Sequence, residues 1–247
     1  MEVKAALYMI PVPISEEDWH KVLPDGNKEI IKGIKHFIVE NLRTARRFLK
    51  KIDPGIEISE LTLHELNGHT EPNEITGYLS ALRKGMPMGV MSEAGCPGIA
   101  DPGALVVRQA QEENLKVVPL AGPSSILMSL MASGMNGQKF AFHGYLPVKD
   151  AERDKSIREL EQESRRRDMT QIFIETPYRN DKMLESLLKN LGGETLLCVA
   201  KGVTDSQMES IVTRRVKDWK RLKPEIGKIP AIFLIYAGNS FGHRGER

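Results

Sequence analysis

A chain of 247 residues is longer than the usual single domain, so two compact halves of roughly 100 to 150 residues are expected. With 40% hydrophobic and 28% charged residues, and no apolar run of the roughly eighteen residues a membrane span needs, the composition excludes a transmembrane protein and reads as soluble and globular. The formal charge of +2 calls for no polyanionic partner by itself, and Cys96 and Cys198 are too few for a disulfide framework or a cysteine zinc site. Because Met1-Glu2-Val3-Lys4 also lacks the character of a secretory leader, the expected compartment is the cytoplasm.

Apolar, β-branched runs recur at residues 5–10, 37–39, 58–63, 88–91 and 117–120, and helical spacing appears between them at 42–50, 75–83 and 105–110. Strands alternating with helices imply a largely parallel sheet covered on both faces. Residues 124–133 form a further helix, apolar almost all round and so expected to be buried. After Gly144-Tyr145-Leu146-Pro147 a highly charged helix over 150–166 breaks the apolar rhythm. This sets the expected division: an N-terminal α/β domain over 1–144, a smaller C-terminal α/β domain over 145–238, and a frayed tail over 239–247. The second domain is read as a strand at 171–175, a helix at 179–191, a strand at 195–200 and a closing strand at 231–236.

Cations gather at Arg43, Arg46, Arg47, Lys50 and Lys51, and again at Arg214, Arg215, Lys217, Lys220, Arg221, Lys223 and Lys228. Each cluster reads first as a solvated helix face, with a phosphate contact as the alternative. Arg165, Arg166 and Arg167 lie among enough acids to read as a salt-bridged helix surface.

The densest chemical signal is Ser92-Glu93-Ala94-Gly95-Cys96-Pro97-Gly98-Ile99-Ala100-Asp101-Pro102-Gly103, where a strand runs into a glycine- and proline-rich loop before a helix. Such loops, beyond the carboxyl ends of parallel strands, let ligands approach backbone groups closely. Asp101 before Pro102 fits a helix cap as well as a ligand contact. Pro119-Leu120-Ala121-Gly122-Pro123-Ser124-Ser125 repeats the strand–turn–helix pattern, and its serines suit either a cap or the polar end of a cofactor. Neither stretch carries the Rossmann or Walker pattern, which removes dinucleotide and nucleoside triphosphate sites.

Together these stretches resemble the tetrapyrrole-methylase superfamily of S-adenosylmethionine-dependent methyltransferases, in its small-subunit ribosomal RNA ribose 2′-O-methyltransferase branch. The likeness spans most of the chain. It extends to Ala132-Ser133-Gly134, to Phe140-Ala141-Phe142-His143-Gly144-Tyr145-Leu146-Pro147, to Phe173-Ile174-Glu175-Thr176-Pro177-Tyr178-Arg179, and more softly to Leu63-His64-Glu65-Leu66-Asn67 and Glu40-Asn41-Leu42-Arg43. The chain departs from the pattern in its first loop, Ile10 to Ser15, which has no glycine, and in Ala200-Lys201-Gly202-Val203-Thr204-Asp205, which replaces an arginine- and glutamate-bearing run.

The resemblance implies a two-domain α/β tetrapyrrole-methylase fold, a homodimer, and S-adenosylmethionine in the cleft between the halves. The cofactor would contact Pro11, Ser92, Glu93, Ala94, Gly95, Ile99, Ala100, Ser124, Ser125, Glu175, Ala200, Pro230 and Ala231. Methyl transfer to a hydroxyl is an in-line displacement that needs alignment rather than a metal, and it profits from a base. Glu93, Asp101, His64 and Glu175 are the candidates. The implied substrate is RNA of the small ribosomal subunit. The same fold acting on a tetrapyrrole or other small acceptor, or binding the cofactor without turnover, stays open.

Overall fold

The computed structural model describes residues 3–16, 18–222 and 225–238, with the backbone alone at Pro72 and Asn73. Lys223 of the second basic cluster and the 239–247 tail lie outside the described residues.

The chain divides into two units, Met1–Ser124 and Ser125–Arg247. This boundary falls about twenty residues before the one read from the sequence. The charged helix that marks a break in composition is an internal element of the second unit, and that unit matches the first in length rather than being smaller.

In the first unit β1 (Leu7–Met9), α1 (Asp25–Lys32), β2 (His36–Val39), α2 (Leu42–Ile52), β3 (Thr62–Glu65), α3 (Pro72–Tyr78), α4 (Ser80–Arg83), β4 (Met88–Met91), α5 (Gly103–Glu112) and β5 (Val117–Pro119) follow in order. The five strands form an all-parallel sheet in the order β3-β2-β4-β1-β5. Alternation along each strand divides the core. Ala6, Tyr8, Ile10, Phe37 and Val39 meet Phe48 and Leu49 of α2, while Leu7, Met9, Ile38, Met88 and Val90 meet Leu79, Leu82 and Val106. The sheet is covered on both faces, as the apolar runs require. The strand expected at 58–63 is displaced: Ile58–Glu60 forms a 3-10 turn and the strand starts at Thr62.

The second unit contains α6 (Ser125–Ser133), β6 (Phe140–Tyr145), α7 (Asp150–Arg167), β7 (Thr170–Glu175), α8 (Asn180–Asn190), β8 (Leu196–Lys201), β9 (Ser210–Arg215), α9 (Val216–Leu222) and β10 (Ala231–Tyr236). Its sheet, ordered β6-β7-β10-β8-β9, is mixed: β6 and β7 are parallel and the other neighbours antiparallel. Phe173, Val199 and Phe233 face α7, α8 and α9, and Ile172, Cys198, Ala200, Ile232 and Leu234 face α6. Helix α6 is not buried all round as expected. Ser129, Leu130 and Ser133 pack inward, whereas Leu127 and Met131 are 49% and 82% exposed. The second basic cluster is no single helix face either, since it spans β9, α9 and the approach to β10.

Candidate active site

In the first sheet β2 connects outward to β3 on one side, whereas β4 connects to β5 on the other. Neighbouring strands whose connections diverge leave a crevice at their carboxyl ends, which is where open parallel sheets bind ligands. Glu40 directly follows β2 and the Ser92–Glu93 turn directly follows β4, and Glu40 Oε2 accepts the Glu93 N–H at 2.9 Å across that crevice. A cavity of about 110 Å³ opens beside it, lined by Ser92, Glu93 and Val12 and by Thr44, Arg47 and Lys51 of α2.

Three loops close on one another at this end of the sheet. Val12 and Gly95 exchange backbone hydrogen bonds at 2.9 and 3.1 Å, tying the loop after β1 to the loop after β4. Gly95 makes this pairing at φ +70°, a conformation L side chains rarely adopt. The Cys96 thiol donates to the Pro123 carbonyl at 3.3 Å, joining the loop after β5, and burial pushes that thiol up so that it stays neutral. Asn27 of α1, which nothing in the sequence singles out, steadies the same loop by donating to the Ala121 carbonyl at 2.9 Å.

The three acid–base candidates of the first unit are not brought together. The Asp101 carboxylate accepts the Gly98 N–H on both oxygens at 2.9 Å and the Gly103 N–H at 2.7 Å, so it closes its own loop and holds the first N–H of α5, whose N-cap position is Pro102. His64 lies in β3, two strands and about 10 Å from β4. Its ring stacks on Tyr78 with centroids 4.9 Å apart, and burial, with a smaller contribution from His36, holds it below the usual imidazole range. Glu93 is exposed at the crevice.

The fourth candidate, Glu175, belongs to the second unit. Its buried carboxylate accepts the Thr176 N–H at 2.6 Å and both Nε and Nη2 of Arg179, at 3.0 and 2.5 Å. Cross-strand register does assemble the remaining candidates of this half: Ala231 pairs with Glu175 on one side and Lys201 on the other, and the Pro230 carbonyl accepts the Gly202 N–H at 2.9 Å. Glu175 and Ala231 share one face of the sheet and Ala200 points to the other, so these positions meet as a row of strand ends rather than as one side-chain cluster. Ser125 opens α6.

Glu40, just before α2, is not among the acid–base candidates of the sequence, which offers no sign of its surroundings. Burial, foremost, and the neighbouring Asp101 and Glu93 charges raise its carboxyl above the ordinary glutamate value, against the lowering effect of the Glu93 N–H. A folded-state value above the unfolded one means that ionising Glu40 opposes folding. The site's contribution to stability is complete below the ordinary carboxyl value and is lost as pH rises through the raised one. Glu40→Gln, whose side-chain oxygen still accepts the Glu93 N–H, is therefore expected to be slightly more stable than wild type at pH 8 and no more stable at pH 4. The gain stays well under about 1 kcal/mol because the carboxyl is only half-buried and screened by water. Urea unfolding at the two pH values measures it, and equal differences at both would refute this account of Glu40.

This arrangement belongs to a known class of fold. The chain superimposes on the methyltransferase CobJ with a TM-score of 0.62 and 17% identity, over 98% of this chain and 97% of that one. It superimposes on the cobalamin biosynthetic enzyme cobalt precorrin-4 methyltransferase, CbiF, with a TM-score of 0.59 and 16% identity, over 94% and 95%. The fold is that of the tetrapyrrole methylases. Sequence similarity is more specific. The chain is 30% identical over 230 residues to the ribosomal RNA small subunit methyltransferase I of Vibrio cholerae, covering 89% of this chain and 75% of that one. The corresponding protein of Pseudomonas aeruginosa is 30% identical over 215 residues, covering 86% and 72%. The chain belongs to the ribosomal RNA small subunit methyltransferase I family. It is a methyltransferase, and its methyl donor is S-adenosylmethionine. No family model matches it. Among the described residues no helix is long and apolar enough to cross a membrane.

Proposed function

We propose that the protein methylates a ribose 2′-hydroxyl of small-subunit ribosomal RNA in the cytoplasm. The similarity over 230 residues to relatives named for small-subunit ribosomal RNA carries this reading. The basic face of α2 supports it: Arg47 and Lys51 line the cavity beside Ser92 and Glu93, where they share the Glu16 carboxylate at 3.9 and 3.2 Å and so leave an excess of positive charge toward a polyanion.

S-adenosylmethionine suits the residues present: Glu40 and Glu93 give the crevice an acidic edge for a sulfonium cation, and the three joined loops offer backbone groups rather than bulky side chains. When bound it supplies an electrophilic methyl group. Pro11, Ser92, Glu93, Ala94, Gly95, Ile99, Ala100 and Ser124 of the first unit, with Ser125, Glu175, Ala200, Pro230 and Ala231 of the second, are proposed to hold it. Asp101 keeps the loop in shape, and the Glu175–Arg179 pair orders the end of β7. Glu40 takes the proton of the acceptor hydroxyl. Its raised value brings a carboxylate closer to neutrality, where general bases work best.

The test is transfer of a labelled methyl group from S-adenosylmethionine to small ribosomal subunits from a strain lacking this protein. Label on a ribose oxygen is expected; bound donor with no label in RNA would sink the reading in favour of a small acceptor or of binding without turnover.

A homodimer is part of the proposal. Leu127 and Met131, one turn apart on α6, leave apolar surface in solvent of the kind a second copy covers. Met131→Glu is expected to shift the protein from dimer to monomer in light scattering, and a wild-type protein that elutes as a monomer at micromolar concentration would rule the dimer out.

A further inference from the structure

A second cavity, of about 230 Å³, lies wholly within the second unit, on the β8–β9 edge of its sheet. Its floor is a ladder of cross-strand pairs on one face. Val199 opposite Val212 forms the apolar middle, Lys201 stands opposite Ser210 at one end, and Arg214 enters at the other, opposite Leu197. Trp219 of α9 closes one side, its ring fixed by an Nε1 hydrogen bond to the Leu197 carbonyl at 2.8 Å.

The charges here differ from those around them. Arg215 and Lys217 are both engaged by Glu194, Arg221 lies 3.8 Å from Asp218, and Lys228 sits over the Tyr178 ring at 5.2 Å. Among the described residues, Lys201 and Arg214 form no ion pair, although Glu225 lines the same cavity and leaves it with one net positive charge. Four residues of strand separate the two ends, a span of about 13 Å, which the long side chains shorten by leaning inward. Two cations at the ends of an apolar trough match one nucleoside with a phosphate on each side. A base held in a duplex cannot enter such a trough, whereas a splayed single-stranded one can.

We propose that this cavity is a nucleotide subsite for the acceptor RNA, holding one unpaired nucleotide beside the one that is methylated, with Lys201 and Arg214 on its flanking phosphates. The proposal rests on the RNA reading above. The register gives it a place: Lys201, Ala231 and Glu175 form one cross-strand row, so the Lys201 end of the trough adjoins the strand ends proposed to hold the donor.

The experiment is binding of the full chain to single-stranded oligoribonucleotides from small-subunit ribosomal RNA, followed against salt concentration, with S-adenosylmethionine binding measured in parallel. Lys201→Ala and Arg214→Ala are each expected to weaken RNA binding several-fold and to reduce the slope of log affinity against log salt by about 0.7. Arg214→Lys should retain most of the wild-type slope, and donor affinity and thermal unfolding should be unchanged in all three. Photocrosslinking of 4-thiouridine RNA to the wild-type chain, which needs no variant, should fall on β8, β9 or α9. If the wild type binds RNA while the alanine variants keep its slope, or crosslinks map elsewhere, the subsite is wrong and the RNA reading stands. If the variants instead lose thermal stability or donor affinity, the two cations serve the fold and the subsite is likewise overturned. A wild-type chain with no affinity for any such RNA overturns both.

Discussion

Asp101→Ala is expected to weaken S-adenosylmethionine binding by about 10- to 100-fold. Hydrogen bonds to a charged acceptor contribute about 1.5 to 3 kcal/mol each, and every 1.4 kcal/mol is a factor of ten. The carboxylate receives N–H groups from Gly98 and Gly103, at opposite ends of the turn that it closes. Between them Ala100 sits at φ +63°, a conformation that costs a non-glycine residue about 1 kcal/mol or more and persists only while its surroundings enforce it. Without the carboxylate the turn relaxes, and the backbone proposed to face the donor moves with it. Asp101→Asn keeps one acceptor oxygen and should recover much of the affinity. Titration calorimetry decides the matter: if Asp101 were the base, the alanine variant would bind the donor normally and lose turnover alone. Glu40→Gln should show the opposite signature, near-normal donor affinity with kcat reduced by about 100-fold or more.

Much of this architecture is legible because the apolar runs are strongly periodic. β4 and β10 have the bounds their sequences indicate, since Met88–Met91 and Ala231–Tyr236 are buried along their whole length and end abruptly in polar or glycine-containing segments. Ser210–Arg215 gives no such signal. Its Thr, Arg and Arg belong to an edge strand with little burial, and it reads as part of a basic stretch. Helix α6 misleads in the other direction: nearly all its residues are apolar or small, and only the packed structure reveals that Met131 faces water. The loop Ser92 to Gly103 is recognisable from its glycines and prolines, but the hydrogen bond from Glu93 to Glu40 joins residues 53 positions apart. That contact depends on β2 lying beside β4, an order of strands that no local pattern encodes. Asp101 has both a capping and a ligand reading, and its carboxylate is engaged by the Gly98 and Gly103 N–H groups of its own loop.

Gly122→Val is expected to lower the unfolding temperature by about 5 to 10 °C and to abolish donor binding. A Cβ at Gly122 would lie 2.2 Å from Cγ and 2.4 Å from Cβ of Pro11, and 3.1 Å from Leu23 Cδ2. A leucine methyl can rotate aside; a pyrrolidine ring cannot. The loop after β5 has little freedom to retreat, because the Leu120 N–H is bonded to the Met9 carbonyl at 3.0 Å and the Ala121 carbonyl to Asn27 at 2.9 Å. The displacement must therefore fall on Pro11, and its neighbour Val12 carries the paired hydrogen bonds to Gly95. Overpacking of this kind costs about 1 to 3 kcal/mol, and each kcal/mol is worth roughly 2 to 4 °C in a chain of this size. Gly26→Ala is the natural control: a Cβ there meets nothing within 4 Å, and in helix α1 alanine should stabilise by about 0.4 to 1 kcal/mol. Scanning calorimetry and donor titration on both variants separate the effect of a tight approach from that of losing a glycine. A Gly122→Val protein that melts with the wild type and binds S-adenosylmethionine normally would mean that the loops after β1 and β5 are not packed as described, and that Pro11 has no part in the donor site.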